Sequence, residues 1–257
     1  MNSINIANQL KTFFGDTPQI CIILGSGLQD IATNIKNKSF LPYDQISNFH
    51  KTSIKGHQGE FIFGYINNIP IICASGRFHY YEGYTFDQVG SLIEIFNELN
   101  PKITIVTNSS GCLNIDWKLG SFMLINKFID FSFIDSSNIN RYEVDKIKGY
   151  NKISNIAIEN NIQLYEGTYT FTTGPSYETD AEILEIIDNG GNAVGMSTFP
   201  EFLKCRQLKM DALFISCLTN YGAGLTNSKI NHKDVLENAE KAKKKFSALI
   251  IKIIENI

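Results

Sequence analysis

We predict an α/β fold with one central sheet for this chain of 257 residues. Short apolar runs rich in β-branched residues alternate along the chain with segments whose apolar residues recur at helical spacing. Polar residues follow directly after several of these apolar runs. The hydrophobic content of 43% allows a full core, and α/β chains of this length commonly form one domain, so we expect residues 1–257 to be a single domain.

Charge and cysteine content argue against several classes of protein. A formal net charge of −3 provides no basic field for nucleic acid. The five cysteines include no Cys-x-x-Cys pair and lie mostly in apolar runs, which is typical of reduced core residues in a cytosol. Met1 to Leu10 lacks the pattern of a signal peptide, and no apolar run is long enough to span a bilayer. We therefore expect a cytoplasmic protein that has neither nucleic acid nor a membrane as a partner.

The first predicted strand ends in a glycine loop. Ser3 to Phe14 has helical spacing, and Gln19 to Leu24 is an apolar run typical of a buried strand. In Gly25-Ser26-Gly27 the glycines let the backbone approach a ligand closely, and the serine offers a hydroxyl. The dinucleotide-binding fingerprint is excluded because its third glycine would fall on Asp30. The nucleophile elbow of serine hydrolases is excluded because the residue two before Ser26 is leucine and not glycine. A plain tight turn is the alternative.

The stretch from Gly76 to Tyr84 contains the side chains of an anion site. It follows a predicted hairpin, residues 60–65 and 69–74 around a turn at 67–68, and His57 lies on the loop before that hairpin. Arg77 offers a planar fork of donors, His79 a donor that carries charge near neutral pH, and Glu82 a carboxylate that orients either one. The alternative is that Arg77 and Glu82 form an ordinary surface pair and that His79 is a packing residue.

Two segments in the middle of the chain are predicted to be irregular. Thr85 and Gln88 form a capping-box pattern at the start of a helix that ends before Pro101, and a strand from Ile103 to Thr107 follows. We predict that Asn108-Ser109-Ser110-Gly111 is a loop whose exposed N–H groups hold an oxyanion. Residues 127–152 are polar and lack a clear period, which predicts a long excursion or lid.

Polar residues again follow the predicted strands of the C-terminal half. A strand at 168–172 leads into Gly174-Pro175-Ser176-Tyr177-Glu178-Thr179, and a capping box of Thr179 and Glu182 places Glu178 just ahead of a helix. The alternative is that this carboxylate only complements the helix dipole.

The last predicted strands deliver two further polar groups. A brief strand at 193–195 is followed by Met196-Ser197-Thr198 and a helix through Lys209, and a strand at 212–218 ends in Thr219-Asn220. Asn231 is the predicted cap of a final helix that has His232 in its first turn.

Together these motifs resemble the purine nucleoside phosphorylases of the trimeric type over essentially the whole chain. No single motif is decisive, but seven of them occur in the order found in that family. The motifs are Leu24-Gly25-Ser26-Gly27-Leu28, Gly56-His57-Gln58-Gly59, Gly76-Arg77-Phe78-His79 with Tyr81-Glu82-Gly83-Tyr84, Thr107-Asn108, Gly174-Pro175-Ser176-Tyr177-Glu178-Thr179, Val194-Gly195-Met196-Ser197-Thr198 with Pro200-Glu201, and Leu218-Thr219-Asn220.

The resemblance implies a set of site residues and an assembly. The phosphate would be bound by Ser26, His57, Arg77, His79, the backbone at Ser109, and Ser197. The ribose would be held by Tyr81 and Met196, with His232 at its 5′-hydroxyl, and the base by Tyr177, Glu178, Thr219 and Asn220. In the family an aromatic residue of a neighbouring subunit closes the pocket, and the match here is Tyr142. The resemblance also implies a homotrimer and a mixed, barrel-like twisted sheet surrounded by helices.

The chemistry that the resemblance implies is phosphorolysis of inosine, guanosine and their deoxy forms to free base and (deoxy)ribose 1-phosphate, in purine salvage. His57 and His79 would orient phosphate, and Glu82 would fix Arg77 and His79. Asn220 would stabilise negative charge on the purine, and Glu178 would accept from its N1–H. Phosphate would be a co-substrate, with no metal or other cofactor. The alternatives are a 5′-methylthioadenosine phosphorylase and a non-catalytic purine-nucleoside-binding protein.

The chain departs from the family pattern at three points. Asn108-Ser109-Ser110-Gly111-Cys112 stands where the family has Asn-Ala-Ala-Gly-Gly, which adds hydroxyls beside the expected phosphate. Residues 127–152 are shorter than in the family and match it poorly. Tyr221 stands where relatives often carry lysine, and the sequence assigns it no role.

Overall fold

The structure, a computed structural model, describes residues 2–50, 58–134, 137–226 and 232–256, with the backbone alone for 232–241. Its strands are β1 (Ile20–Leu24), β2 (Lys36–Pro42), β3 (Glu60–Ile66), β4 (Ile69–Ser75), β5 (Ile103–Cys112), β6 (Phe122–Asp130), β7 (Asn140–Glu143), β8 (Leu164–Phe171), β9 (Ala193–Gly195) and β10 (Ala212–Tyr221). Its α-helices are α1 (Ser3–Phe14), α2 (Phe86–Val89), α3 (Ser91–Leu99), α4 (Tyr150–Glu159), α5 (Asp180–Asp188), α6 (Phe199–Leu208) and α7 (His232–Asn256). Short 3-10 helices lie at Gln29–Asn34, Tyr43–Gln45 and Tyr80–Glu82.

The strands form one mixed sheet in which part of the sheet is closed. Their order is β10-β6-β8-β9-β5-β1-β4-β3-β2, and β7 pairs with β6. Because β5 also pairs with β10, the strands β5, β10, β6, β8 and β9 close into a barrel. The other strands extend the sheet from β5 through β1 and β4. This architecture confirms the predicted α/β fold class with a central, barrel-like mixed sheet.

The strand β5 determines where the sheet opens. On one edge, β1 pairs with β5 only as far as Val106, and β9 pairs with it only at Gly111 and Cys112. On the other edge, β10 accompanies β5 from Thr104 to Cys112. Residues 107–110 therefore have one edge without a strand partner among the described elements. An opening of this kind, beyond the carboxyl ends of parallel strands, is where α/β proteins commonly bind ligands.

Several predicted elements are confirmed. The hairpin of β3 and β4 turns at Asn67 and Asn68, whose φ angles of 49° and 64° are those of a type I′ turn. Thr85 and Thr179 each cap a helix in a complete capping box. The final helix begins at His232, whereas its predicted cap lies outside the described residues.

The two segments predicted to be irregular contain regular elements. Asn108 to Gly111 belongs to β5, because β10 pairs with it here, with Ser109 opposite Cys217 and Gly111 opposite Asn220. Residues 127–152 contain the end of β6, all of β7 and the start of α4, since β7 pairs antiparallel with β6. The first prediction was wrong, and the second was wrong for these stretches, because strand pairing overrides a polar local sequence.

The helix predicted after Thr85 is two helices, α2 and α3, that meet at Gly90. The Gly90 N–H donates to the carbonyl of Phe86, which closes the first helix, and the second helix begins at Ser91. A glycine inside a helix costs backbone entropy, which favours a break at this point.

Helices cover both faces of the sheet. On one face α1, α3 and α6 pack over a core that includes Phe128 and Phe214. On the other face α4 and α7 cover a core that includes Phe122 and Phe246. Leu213 and Phe214 of β10 belong to different cores, as the alternation of side chains along a strand requires. None of the helices in the described part of the chain has the length and apolar character needed to cross a membrane.

Candidate active site

A pocket of about 370 Å³ lies at the opening beside β5. Residues 108–111 of that strand line it, together with residues that follow β1, β4 and β9 and residues at the end of β10. The pocket brings together most of the predicted site residues, namely Ser26, Arg77, His79, Tyr81, Ser109, Tyr177, Glu178, Met196, Ser197, Thr219 and Asn220.

Arg77 is the most buried cation at the pocket, with 1% of its surface exposed. Its Nη1 donates to Ser197 Oγ and to Thr198 Oγ1, each at 3.0 Å. Within the described residues its Nη2 is buried and has no hydrogen-bond partner. A buried guanidinium nitrogen without a partner carries a desolvation cost that an anionic ligand would remove.

The carboxylate that pairs with Arg77 is Glu201. This residue belongs to one of the seven motifs, but no role was predicted for it. Glu201 is fully buried in α6, and its Oε1 lies 3.3 Å from Arg77 Nε, a distance that brings charges together without hydrogen-bond geometry. The alternative of an exposed surface pair between Arg77 and Glu82 is therefore wrong. That Glu82 fixes Arg77 stays a prediction.

Glu82 instead orients His79. The two side chains are nearly buried, and His79 Nδ1 lies 2.9 Å from Glu82 Oε1. The same carboxylate oxygen accepts from the His79 backbone N–H at 2.9 Å. The imidazole also stacks on Tyr81, with ring centroids 4.8 Å apart, so its plane is fixed from two sides.

The glycine loop after β1 is held tightly against β5. The Gly25 N–H donates to Thr107 Oγ1 at 3.0 Å, and that hydroxyl donates to the Ile23 carbonyl at 2.9 Å. A Cβ at Gly25 would lie 2.6 Å from Asn108 Cα, so the close approach requires glycine. This contact brings Ser26 to the pocket wall beside β5.

The added hydroxyls of Ser109 and Ser110 bond within the protein. Ser109 Oγ donates to the Ser26 carbonyl at 2.9 Å, which ties β5 to the glycine loop. Ser110 Oγ lies 2.6 Å from the hydroxyl of Ser216 on β10, and both residues are buried. The departure from the family pattern thus connects β5 to the glycine loop and to β10 at the pocket wall.

Glu178 is the carboxylate of the pocket, just ahead of α5 as predicted. Burial raises its pKa, while a 2.7 Å hydrogen bond from the Thr172 hydroxyl to Glu178 Oε1 acts in the opposite direction. Tyr177 beside it remains 44% exposed, so its ring has a free face. A carboxylate of this kind accepts a donor from a ligand at the cost of partial desolvation.

Asn220 is held in one orientation by its neighbours. Its Nδ2 donates to the Tyr221 carbonyl at 3.1 Å, and its Oδ1 lies 3.0 Å from Thr219 Oγ1. An amide flip would turn Oδ1 toward the Tyr221 carbonyl, which cannot donate. The amide therefore has one preferred orientation, in which the second N–H of Nδ2 remains available to donate to a ligand.

The predicted ribose contacts lie close together over a glycine. Tyr81 and Met196 both line the pocket, and both would collide with a Cβ at Gly174. Burial raises the pKa of Tyr81 to about 12, so its hydroxyl is a neutral donor at physiological pH.

Three predicted residues are not part of the pocket as described. His57 lies outside the described residues, and only the backbone of His232 is described. Tyr142, on β7, packs on Phe199 and Phe202 of its own chain, with ring centroids 5.5 and 6.1 Å apart. Its role at a subunit contact stays a prediction.

Sequence reasoning missed the residues that support the pocket from behind. Thr172, Thr198 and Glu201 bond to predicted site residues, and the latter two stand within a quoted motif. Tyr221, which had no role, donates to the Trp117 carbonyl at 2.8 Å. Nothing local distinguishes a hydroxyl that supports a site from an ordinary polar residue, because the contact joins distant segments.

Comparisons with known proteins agree with this geometry. The profile described as "Phosphorylase superfamily" matches residues 19–255. Purine nucleoside phosphorylase 1 of Geobacillus stearothermophilus is 36% identical over 98% of this chain and 96% of its own length. The chain belongs to the purine nucleoside phosphorylase family. This membership accounts for the order of the seven motifs along the chain.

Solved members of the purine nucleoside phosphorylase family have the same fold. The enzyme of Schistosoma mansoni in complex with inosine superposes with a TM-score of 0.88 at 30% identity, over 99% of this chain and 96% of that one. The same enzyme in complex with adenosine gives a TM-score of 0.88 at 30% identity, over 100% and 97%. Both structures span essentially the whole of this family member.

Proposed function

We propose that this protein catalyses the phosphorolysis of purine nucleosides such as inosine and guanosine, and their deoxy forms, in purine salvage. The observation that carries the proposal is that Arg77, a buried cation whose Nη2 has no hydrogen-bond partner within the described residues, and the carboxylate of Glu178 line the same pocket. The family's name and the inosine complex of the Schistosoma mansoni relative support the same activity.

The reaction uses the two groups at once. A phosphate oxygen held by Arg77, with His79, Ser26 and Ser197 around it, attacks C1′ of the nucleoside. The bond from C1′ to N9 breaks, its electron pair moves into the purine, and ribose 1-phosphate forms. The remaining N–H of Asn220 stabilises the charge that grows on the base. Phosphate is the nucleophile, so the proposal requires neither a covalent enzyme intermediate nor a cofactor.

The substrate class follows from the donor pattern of the base. Ionised Glu178 only accepts, so it pairs with the N1–H of a 6-oxopurine and faces a lone pair on adenine. This argument favours inosine and guanosine over adenosine. The Schistosoma mansoni relative has been solved with adenosine, so we expect the preference for 6-oxopurines to be a difference in rate or affinity. The values of kcat/KM for inosine and adenosine measure it.

Assembly and location are part of the proposal. The Geobacillus stearothermophilus relative aligns end to end with this chain. We propose a cytoplasmic homotrimer in which Tyr142 reaches a neighbouring pocket.

The decisive experiment mixes protein, inosine and phosphate and follows hypoxanthine and ribose 1-phosphate, with phosphate omitted as the control. Phosphate-dependent formation of both products is expected. Base release without phosphate would identify a hydrolase instead. Faster turnover of 5′-methylthioadenosine than of inosine would favour that alternative, and binding of inosine without any product would favour a non-catalytic binding protein.

A further inference from the structure

Thr198 has a backbone conformation that is unusual for its residue type. Its φ is 73° and its ψ is −34°, and it is fully buried. A β-branched residue at positive φ is strained, and such strain persists where the surrounding structure holds it in place. Glycine would adopt this angle without cost, so the side chain of Thr198 has to offset the strain.

The ordinary role of a threonine at this position does not explain it. Thr198 immediately precedes α6, where a threonine side chain usually accepts from the first turn of the helix. Here the side chain makes no capping hydrogen bond. Its Oγ1 instead accepts from Arg77 Nη1 at 3.0 Å and from Asn108 Nδ2 at 2.7 Å. Both lone pairs of the hydroxyl oxygen are thereby used.

The partner Asn108 is itself fixed by the barrel. Its Oδ1 accepts from Ser216 Oγ at 2.6 Å, and Ser216 lies 2.6 Å from Ser110. These residues are buried on the neighbouring strands β5 and β10. The hydroxyl of Thr198 is therefore anchored to two strands of the closed barrel, and its position does not depend on a flexible side chain.

The same hydroxyl determines which donor of Arg77 is available. Ser197 and Thr198 accept from Nη1, and Glu201 lies beside Nε. Within the described residues Nη2 has no hydrogen-bond partner, and Nε has only the charge of Glu201 beside it. Rotation of the guanidinium about its stem would break the hydrogen bonds of Nη1.

We propose that Thr198 is a positioning residue that orients Arg77 toward the anion in the pocket, and that its hydrogen bonds with Arg77 and Asn108 offset the strain of its backbone. Thr198 does not line the pocket, so it acts through Arg77 and not on the substrate. The inference rests on the proposed function in taking phosphate as the anion.

The test compares Thr198→Val, which keeps the shape and loses the acceptor, with Thr198→Ser, which keeps the acceptor. For Thr198→Val we expect KM for phosphate to rise roughly ten- to a hundredfold, the range for losing a hydrogen bond to a charged group, and KM for inosine to change by less than about threefold. For Thr198→Ser both values should stay within about threefold of the parent. Thr198→Ala is the second variant if the valine protein does not fold.

A purely structural role would give a different result. A lower melting temperature with both KM values unchanged would overturn the inference and leave the proposed function intact. If the parent shows no phosphorolysis, the proposed function fails, and the stabilisation of parent and variant by inorganic phosphate is compared by thermal shift. Equal phosphate-dependent shifts in the parent and in Thr198→Val would then overturn the inference as well.

Discussion

The Thr172 hydroxyl donates a 2.7 Å hydrogen bond to Glu178 Oε1. This contact occupies one oxygen of a carboxylate that lines the pocket. It also opposes the effect of burial, which raises the pKa of Glu178 above that of an ordinary glutamate. Thr172 therefore controls both the orientation of the base-binding carboxylate and the pH at which that carboxylate is ionised.

The pH dependence of activity tests this contact. Because the pKa of Glu178 is raised, we expect kcat/KM for inosine to fall as the pH drops through a value above the ordinary carboxylate range. In Thr172→Val the ionised form loses a donor, so the fall should occur at higher pH. Thr172→Ser is the matched control and should keep the parent profile. Identical acid limbs in all three proteins would show that Thr172 does not affect Glu178.

The substrate preference depends on the acceptor character of Glu178. In Glu178→Gln the amide oxygen would accept from Thr172, and the NH₂ group would turn toward the base and donate to adenine N1. We expect the ratio of kcat/KM for inosine to that for adenosine to fall roughly ten- to a hundredfold, which corresponds to one buried unpaired group. Glu185→Gln, which changes an exposed carboxylate on the helix that follows Glu178, is the control. An unchanged ratio in Glu178→Gln would leave Glu178 with the role of a helix-start carboxylate.

Removal of Arg77 should separate phosphate binding from base binding. We expect Arg77→Ala to reduce kcat/KM roughly a hundredfold or more, while the Kd for hypoxanthine changes little, because the guanidinium acts on the nucleophile. Near-normal turnover would contradict the assignment of phosphate to Arg77.

The same substitution has a cost in stability that needs a control. Without Arg77, Glu201 is a buried charge without its cation, and loss of one partner of a buried pair typically costs about 3–5 kcal/mol of the free energy of unfolding. The double variant Arg77→Ala with Glu201→Gln should recover much of that stability without recovering activity. Recovery of both would mean that Arg77 only supports the fold.

The assembly is tested through Tyr142. Light scattering should give a mass of three chains, and Tyr142→Ala should raise KM for inosine with little effect on kcat. Tyr142→Phe keeps the ring and should behave like the parent. If the ring only packs on Phe199 and Phe202, Tyr142→Ala should lower the melting temperature and leave KM unchanged. A fully active monomer would contradict the proposed trimer.

Local sequence predicted the parts of the fold that local interactions determine. The turn at Asn67 and Asn68 and the caps at Thr85 and Thr179 are set within a few residues, and each is confirmed. The continuation of β5 through Asn108 and Ser109 depends on β10, about a hundred residues away in the chain, and it was predicted to be a loop. Pairings of this range leave no periodicity in the paired segment itself.

In the pocket, too, some residues could be predicted from local sequence and others could not. Arg77 and Glu178 were recognisable from residue type and motif, because their chemistry is unusual after a strand. The groups that hold them are a glutamate, Glu201, and two threonines, Thr172 and Thr198, whose residue types are common everywhere. These three residues are identified only by their distances to Arg77 and Glu178 in the structure.

The buried cysteines allow local unfolding of the protein to be followed by thiol labelling. Cys21, Cys73, Cys112, Cys205 and Cys217 are free thiols inside the core. Burial raises the pKa of Cys73 to about 12 and that of Cys112 to about 11, so in the closed state neither is accessible or ionised. A thiol reagent can therefore react only when the chain transiently unfolds around a cysteine. Cys21 and Cys73 lie on the neighbouring strands β1 and β4, whereas Cys217 lies on the barrel strand β10. The rates of labelling would therefore distinguish opening of the sheet extension from opening of the barrel.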